Sequence, residues 1–175
     1  VDFTVEPNHV DAAGKAEFWP YLRDPETLAR PWTVPGTTGL AHRIGGLEKA
    51  DGIGTVSYDG HNHERMVELR AAKVAGIEVP PLEVDADPEA EVLVIGWGST
   101  YGPIRTAVRH VRAAGLHVAQ AHLRYLNPMP RNTGKELHKY RRVLVPEMNS
   151  GQLAMLLRAN YLVNAESITK IQGQP

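Results

Sequence analysis

The second half of this chain alternates short apolar runs with stretches of helical period. Residues 92–95 predict a buried strand, residues 103–114 predict a helix that Gly115 ends, and residues 116–123 predict a second strand. Glycines and prolines separate these segments, which is typical of elements joined by tight turns. A strand, a helix and a strand in this order predict parallel pairing with a right-handed crossover.

The same alternation continues to the end of the chain. Residues 143–145 predict a third strand that stops at Pro146. Asn149 or Ser150 is predicted to cap the helix that follows, and the alternation over residues 168–171 indicates an edge strand. The fold class expected from this order is α/β, with a small, doubly wound and mostly parallel sheet.

A short helix is predicted between the second and third strands. Thr133 and Glu136 have the spacing of a capping box, in which each side chain bonds a backbone N–H at the start of a helix.

The first 60 residues show neither a helical nor a strand period and contain many turn-forming glycines and prolines. We interpret them as an extended, irregular arm that packs on a neighbour rather than as a loosely attached leader, because disordered segments are poor in aromatic residues. Its predicted apolar anchors are Phe18, Trp19, Tyr21, Trp32 and Leu40.

One helix is expected between the arm and the sheet. Asn62 is its predicted cap, Lys73 suits its last turn, and Gly76 its end. A proline-rich and acidic stretch then reads as a linker up to Asp87. The predicted division is therefore 1–60 for the arm, 61–87 for the helix and linker, and 88–175 for the α/β domain.

Composition excludes several classes of protein. The chain is 42% hydrophobic, has a net charge of -1 and has no basic run of the kind that binds nucleic acid. It contains no cysteine, which excludes disulfides, thiolate nucleophiles and cysteine-held iron–sulfur clusters within this chain. No segment reaches the ~20 apolar residues that span a bilayer. Because the chain begins with Val1 and lacks a signal pattern, we expect a cytoplasmic piece of a longer protein.

A glycine-rich turn follows the strand at residues 92–95. Its members Gly96, Gly98, Ser99, Thr100 and Gly102 could receive a phosphate at the start of the next helix. The spacing departs from the dinucleotide fingerprint, because a tyrosine stands where the third glycine belongs. A tight turn without a ligand is therefore favoured.

Arg124 offers a second contact in the phosphate hypothesis. It follows the second strand, at the place where such folds read the ribose or its phosphate.

A second polar cluster follows the third strand, at the same edge of the predicted sheet. Glu147 and Asn149 are candidates for contact with a ligand or partner. The alternative is that Asn149 caps the helix and Glu147 pairs with a nearby cation.

Other polar residues have simpler interpretations. His61 and His63 lie beside Asp59, but histidines two apart do not converge on a helix, so solvated side chains are favoured over a metal site. The charged residues of the arm and helix are expected to be solvated surface groups; they are Arg43, Glu48, Lys49, Asp51, Arg65, Glu68 and Arg70. The chain has no nucleophile motif, and we assign no catalytic or metal-ligating residue.

Three separated motifs carry a resemblance to a known family. They are the stretch from Pro35 to Glu64, the segment Val94-Ile-Gly-Trp-Gly-Ser-Thr-Tyr-Gly-Pro, and Val145-Pro-Glu-Met-Asn-Ser-Gly-Gln-Leu. In this order they resemble the C-terminal part of the α subunit of a 2-oxoacid:ferredoxin oxidoreductase, most closely the 2-oxoglutarate type of actinobacteria. The resemblance implies a domain like the C-terminal domain of transketolase, which is Rossmann-like.

The resemblance also implies an activity for the assembled enzyme. Such enzymes oxidatively decarboxylate a 2-oxoacid with coenzyme A on thiamine diphosphate and pass electrons through iron–sulfur clusters to ferredoxin. The family places substrate-binding residues in the preceding domain, and Mg²⁺, the diphosphate and the cluster in the β subunit. No catalytic residue is therefore carried over to this chain, whose implied role is structural and interface-forming.

The implied partners are the N-terminal part of the same subunit and the β subunit, without nucleic acid or membrane. His42 and Arg43 are the arm residues that we expect to be most able to touch substrate or a neighbour. The alternative from another class is a free-standing nucleotide- or phosphate-binding α/β module.

Overall fold

Four very short strands and one long helix form the regular structure of the first 77 residues. The computed structural model describes residues 3–172, and contacts divide the chain into two units, Val1–Ile77 and Glu78–Pro175. In the first unit, the elements are β1 (Phe3–Thr4), β2 (His9–Val10), β3 (Ala16–Glu17), β4 (Trp32–Thr33) and α1 (Gly60–Ala75). β1 pairs with β4 in parallel, and β2 pairs with β3 antiparallel. The expected irregular structure before one helix is observed, and these residues form one compact unit with α1. That residues 1–60 act as an arm on a neighbour stays a prediction.

Helix α1 begins at a different cap from the predicted one. The side chain of Asp59 accepts the backbone N–H of His61 at 2.9 Å, which makes Asp59 the N-cap. Asn62 lies inside the helix, where its side chain accepts the N–H of Asp51 at 2.9 Å and donates to the carbonyl of Lys49 at 2.9 Å. Gly76 ends the helix with a right-handed φ of -77°, so the helix does not end in the left-handed conformation that favours glycine.

The anchors of the first unit differ in burial. Tyr21, Leu40 and Met66 are buried, whereas Trp32 is 61% exposed. Lys49 is only 2% exposed. Its ammonium group donates to the carbonyls of Gly45, at 3.0 Å, and Leu47, and these hydrogen bonds compensate for its burial. The prediction that Lys49 is a solvated surface group is therefore wrong: turn carbonyls replace water around its charge.

The second unit contains the sheet. Its elements are β5 (Val84–Asp85), β6 (Val92–Trp97), α2 (Tyr101–Ala113), β7 (Val118–Leu123), α3 (Thr133–Leu137), β8 (Arg142–Glu147), α4 (Gln152–Tyr161) and β9 (Ala165–Thr169). The strand order is β5-β7-β6-β8-β9. All neighbours are parallel except β5, which lies antiparallel to β7. The predicted mostly parallel α/β sheet is confirmed, with β9 at one edge and β5 at the other.

The core of this unit lies where the inner strands meet their helices. Leu93 and Ile95 of β6, Val145 of β8, and Leu153 and Leu157 of α4 are at most 1% exposed. The sequences of β6 and β8 contain continuous apolar runs because both faces of the sheet are covered.

Several element ends differ from the predictions. Helix α2 begins at Tyr101 after a 3₁₀ turn over Gly98–Thr100, so Pro103 occupies its third position instead of its first. Gly115 has a φ of +82° and follows the end of α2 as predicted. Strand β8 continues through Pro146 instead of stopping there. Its pairing with β6 ends at Leu144, so at Pro146 one side of β8 needs no ladder hydrogen bond.

The predicted capping box at Thr133 and Glu136 is wrong. Thr133 is the first residue of α3, and its hydroxyl donates to the carbonyl of Pro130 at 2.7 Å. The preceding Asn132 does not cap the helix either, because its side chain is bonded to the backbone of Leu82.

Candidate functional site at the carboxyl edge of the sheet

Strands β6 and β8 separate at their carboxyl ends. Their recorded pairing runs from Val92 with Arg142 to Val94 with Leu144, whereas the strands themselves continue to Trp97 and Glu147. The chain leaves β6 toward β7 on one side of the sheet and returns to β8 on the other. A parallel sheet forms a crevice at such a reversal of strand order, and open α/β folds bind their ligands there.

The turn from β6 into α2 forms one side of this edge. The hydroxyl of Thr100 donates to the carbonyl of Trp97 at 2.7 Å and accepts its N–H at 3.2 Å, which closes the turn. Gly98 has a φ of +58°, a conformation that residues with a side chain rarely adopt. No side chain among the described residues caps the start of α2.

The glycines of this turn serve different purposes. A Cβ on Gly96 would lie 2.3 Å from Cδ1 of Ile104 and 2.7 Å from Oγ1 of Thr100. Gly96 therefore allows α2 to pack closely on β6. A Cβ on Gly102 would meet nothing within 4 Å. The glycine spacing thus has a packing reason at Gly96, whereas phosphate binding by Gly96, Gly98, Ser99, Thr100 and Gly102 stays a prediction.

Glu147 binds the start of α4 from the end of β8. Its carboxylate is 2% exposed and accepts the N–H of Leu153 at 2.8 Å and that of Ala154 at 3.1 Å. Asn149 adds a second acceptor, because its Oδ1 receives the N–H of Gly151 at 2.8 Å and of Gln152 at 3.0 Å. Glu147 forms no ion pair with any residue of 3–172, so the expected cation partner is wrong. Backbone N–H groups take that place.

The two helix starts at this edge are therefore unlike. Side-chain oxygens of Glu147 and Asn149 occupy the first N–H groups of α4, where an anionic ligand would otherwise bind. Contact of either residue with a substrate or partner stays a prediction.

His42 and Arg43 lie in the first unit. His42 is exposed, with Nδ1 at 2.8 Å from the carbonyl of Leu40 and its ring 5.2 Å from that of Phe18. It lines a cleft of about 760 Å³ together with Trp32 and the turn at Gly36. Arg43 is exposed beside it. Their predicted contact with substrate or a neighbour is not tested by this geometry.

A charge cluster joins α1 to the loop before it. Both carboxylate oxygens of Glu48 accept from Arg70, at 3.1 and 2.9 Å, and His63 Nδ1 lies 3.1 Å from Glu48 Oε2. The hydrogen bonds from Arg70 lower the pKa of Glu48 to about 2, helped by the N–H of Lys49. His63 thus contacts a carboxylate that Arg70 already binds. Within residues 3–172, His, Cys, Asp and Glu side chains form no group of three that could hold a metal ion.

The sequence analysis missed a cleft beside β7, the strand that pairs with β6 on the side away from β8. It has a volume of about 530 Å³ and is lined by side chains of β5, α2 and β7. Arg124 was a sequence candidate, but Tyr101, Arg105 and Gln120 were not. The signal in the sequence was the alternation of polar residues at 120, 122 and 124 within and just after a buried strand.

Comparison with known proteins identifies close relatives. Residues 90–174 match the family model described as pyruvate:ferredoxin oxidoreductase core domain II. The chain is 57% identical over 167 residues to 2-oxoglutarate oxidoreductase subunit KorA of Mycobacterium tuberculosis, which covers 94% of this chain and 25% of that protein. It is 37% identical over 140 residues to subunit alpha of 2-oxoacid:ferredoxin oxidoreductase 2 of Aeropyrum pernix, with 75% of this chain and 22% of that protein covered.

A solved structure shares the fold. The chain superposes with a TM-score of 0.77 and 31% identity on a 2-oxoglutarate:ferredoxin oxidoreductase from Magnetococcus marinus with 2-oxoglutarate, coenzyme A and succinyl-CoA bound. The match covers 96% of this chain and 30% of that one. The chain thus spans about a quarter of the length of these relatives. No helix in the described part is long and apolar enough to cross a membrane.

Proposed function

Since residues 90–174 belong to the pyruvate:ferredoxin oxidoreductase core domain II family, we propose that the chain works within the α subunit of a 2-oxoglutarate:ferredoxin oxidoreductase. The predicted resemblance to such an α subunit is confirmed by the comparisons. The observation that carries the activity is the 57% identity over 94% of the chain to a 2-oxoglutarate oxidoreductase subunit. The assembled enzyme would oxidise 2-oxoglutarate with coenzyme A to succinyl-CoA and CO₂, and it would reduce ferredoxin.

The residues of this chain do not fit the redox cofactors of such an enzyme. The chain has no cysteine for an iron–sulfur cluster, and its described residues offer no cluster of three metal ligands. We infer that thiamine diphosphate, Mg²⁺ and the cluster are held by other parts of the assembly. No step of the reaction is therefore assigned to a residue of this chain.

The role that we propose for the chain itself is to form interfaces. In the first unit Phe3 and Trp32 are 54% and 61% exposed and stack edge to face with ring centroids 6.4 Å apart. In the second unit Leu162 is 90% exposed at the end of α4. Exposed apolar groups of this size mark contact surfaces in soluble proteins. The preceding part of the same subunit and the β subunit are the partners that would cover them.

The predicted segment boundaries belong to the same proposal. Residues 1–60 would act as the arm that reaches a neighbour, 61–87 as helix and connection, and 88–175 as the α/β domain. His42 and Arg43 would face that neighbour or the substrate. The cytoplasmic location predicted from the sequence is part of this proposal as well.

The experiment is to purify the complex from cells that express the complete α and β subunits and to identify its chains by native mass spectrometry. Thiamine diphosphate and iron are measured in the same sample, and ferredoxin reduction is assayed with 2-oxoglutarate and coenzyme A. The proposal expects the chain's sequence in a cofactor-bearing complex that prefers 2-oxoglutarate to pyruvate. A complex that contains this sequence without 2-oxoacid-dependent reduction would contradict it.

A pair of variants tests the interface role. Trp32→Glu puts a charge on the exposed aromatic pair of the first unit. This variant should reduce the amount of β subunit that co-purifies, or the activity of the complex. Ala12→Glu is the matched control, because it adds the same charge at an exposed position of the same unit outside the cleft beside Trp32. Equal assembly and activity of both variants would disprove a role for the Trp32 surface.

A further inference from the structure

The cleft beside β7 carries an inference that the oxidoreductase proposal does not use. Its polar lining consists mainly of Glu83, Tyr101, Arg105, Gln120, His122 and Arg124. All of these residues belong to the second unit. The cleft of about 530 Å³ is large enough for a small organic molecule.

Strand β7 places polar side chains where a buried strand is normally apolar. Gln120 and His122 share one face of the strand, and Arg124 continues that face, because side chains alternate along a strand. The opposite face carries Ala119, Ala121 and Leu123, all at most 3% exposed. The polar residues are thus confined to the face that lines the cleft.

Two of these polar groups lack partners. Gln120 is 5% exposed, and its carboxamide forms no hydrogen bond with any residue of 3–172. The Nδ1 atom of His122 is buried and likewise unpartnered within that range. Buried polar groups are nearly always satisfied, because an unmade hydrogen bond costs free energy. The Gln120 amide lines the cleft and therefore points to a bound molecule that completes it, whereas the Nδ1 atom of His122 is not open to the cleft.

The charges of the cleft favour an anion. Arg105 and Arg124 form no ion pair with any described residue, and Arg105 Nη1 donates only to the Tyr101 hydroxyl at 3.4 Å. Asp85 also borders the cleft, but both its oxygens accept from Arg112 at 3.1 Å. The guanidinium groups of Arg105 and Arg124 can therefore bind an anion, whereas the charge of Asp85 is already paired with Arg112.

The remaining polar groups of the cleft suit hydroxyl groups. Burial, and secondarily the charge of Arg124, lower the pKa of His122, which favours the neutral ring, and its Nε2 atom can donate or accept. Glu83 adds a carboxylate acceptor, and the amide of Gln120 both donates and accepts. The Tyr101 ring packs edge-on against His122 at 5.0 Å and holds the imidazole in place.

We propose that this cleft binds a phosphate ester with free hydroxyl groups, of the sugar-phosphate class. Arg105 and Arg124 bind the phosphate, whose oxygens accept charge-assisted hydrogen bonds from guanidinium groups. Gln120, His122 and Glu83 bind the hydroxyls. All the residues that line this cleft belong to this chain, and the proposed oxidoreductase activity uses none of them.

The test uses the full 175-residue chain and three probes: ribose 5-phosphate, inorganic phosphate and ribose. Binding is measured by calorimetry, and the ring signals of His122 are followed by NMR in the same titrations. The expected order of affinity is ribose 5-phosphate, then inorganic phosphate, with ribose weakest, and only the ester should shift the His122 ring strongly. Equal binding of the ester and inorganic phosphate would overturn the assignment of an ester, and absence of binding by both would overturn the site.

Variants locate the binding. Arg124→Gln should weaken ribose 5-phosphate at least about tenfold, the loss expected for one charge-assisted hydrogen bond. Arg109→Gln is the control, because Arg109 is an exposed arginine of α2 that lines a different groove. Equal effects of the two changes would show that the phosphate binds elsewhere.

Gln120→Leu separates a binding role from a structural one. Replacing an unpartnered buried amide by an apolar side chain of similar size is neutral or stabilising for the fold. The variant should therefore keep or raise the thermal midpoint and lose affinity for the ester. A variant that binds ribose 5-phosphate as the parent chain does would disprove the part that Gln120 plays.

Discussion

The carboxylate of Glu147 accepts the backbone N–H of Leu153 at 2.8 Å across the turn between β8 and α4. The same carboxylate accepts the N–H of Ala154 at 3.1 Å. Both N–H groups belong to the first turn of α4, where a helix has no backbone acceptors of its own. The buried side chain of Glu147, at the end of β8, thus caps α4. Its carboxylate also interacts favourably with the positive end of the helix dipole.

Replacing this carboxylate should destabilise the second unit. Glu147→Gln keeps the shape but turns an NH₂ group toward one of the two N–H donors, so one buried donor loses its acceptor. We expect a loss of about 2 kcal/mol in the free energy of unfolding, and a larger loss for Glu147→Ala. Hydrogen exchange of the Leu153 and Ala154 amides should accelerate in both variants.

Glu166→Gln provides the comparison for Glu147. Glu166 lies on neighbouring β9 and pairs with Arg142 at 2.8 Å on the surface, where solvent screens the pair and its contribution to stability is small. Similar stability losses for the two glutamates would show that Glu147 acts only as a surface charge.

Two glycines of the β6–α2 turn should respond in opposite directions to the same substitution. Gly96→Ala places a methyl group 2.3 Å from Cδ1 of Ile104, so either α2 or the side chain has to move. We expect a cost of about 1–3 kcal/mol from overpacking. Gly102→Ala meets open space within α2 and should stabilise the chain by up to about 1 kcal/mol.

The measurement is denaturant unfolding followed by a signal of the second unit, such as the fluorescence of Trp97 in a chain without Trp19 and Trp32. A loss of stability in Gly102→Ala, or none in Gly96→Ala, would contradict the packing reason for Gly96.

The order of the main elements was readable from the sequence because a buried strand is typically an apolar run with a glycine or proline at its end. β6 and β8 have this form, whereas β7 contains Gln120 and His122 and could be placed because it follows the helix-ending Gly115. Strand β5 could not be predicted from the sequence, because Val84–Asp85 is only two residues long and lies within a segment predicted to be a linker. A two-residue edge strand is determined by its neighbour β7 and not by its own pattern.

The helix caps were harder to predict, because a capping residue is chosen among several polar candidates by contacts with distant residues. Asn62 binds Asp51 and Lys49 and leaves Asp59 to cap α1. The candidate site shows the same limit. The glycine turn was visible in the sequence, but the approach of Tyr101 to His122 depends on the packing of α2 on β7.

Asn132 should hold the segment before β5 to the sheet unit. Its Oδ1 accepts the N–H of Leu82 at 2.8 Å, and its Nδ2 donates to the carbonyl of Leu82 at 3.0 Å. Asn132→Asp keeps the acceptor and loses the donor, and Asn132→Ala loses both. We expect losses of about 1 and about 2 kcal/mol, respectively, in the free energy of unfolding, together with faster exchange of the Leu82 amide. Equal losses in the two variants would show that the acceptor adds nothing.

Acid should weaken the first unit through Glu48. The pKa of this carboxyl is lowered to about 2 in the folded chain, chiefly by hydrogen bonds from Arg70, against an ordinary value of 4.5. A group whose pKa falls on folding stabilises the fold above its unfolded pKa. That contribution is lost as the pH falls from about 4.5 to about 2.

Glu48→Gln removes this titration. At neutral pH we expect the variant to be less stable by about 1 kcal/mol, because the ion pair lies near the surface and is partly screened. The difference from the parent chain should shrink steadily between pH 5 and pH 2, as denaturant unfolding at each pH would show. Glu64→Gln, an exposed residue on α1, is the control and should leave the pH dependence unchanged. A difference that stays constant over this range would mean that Arg70 does not depress the pKa of Glu48.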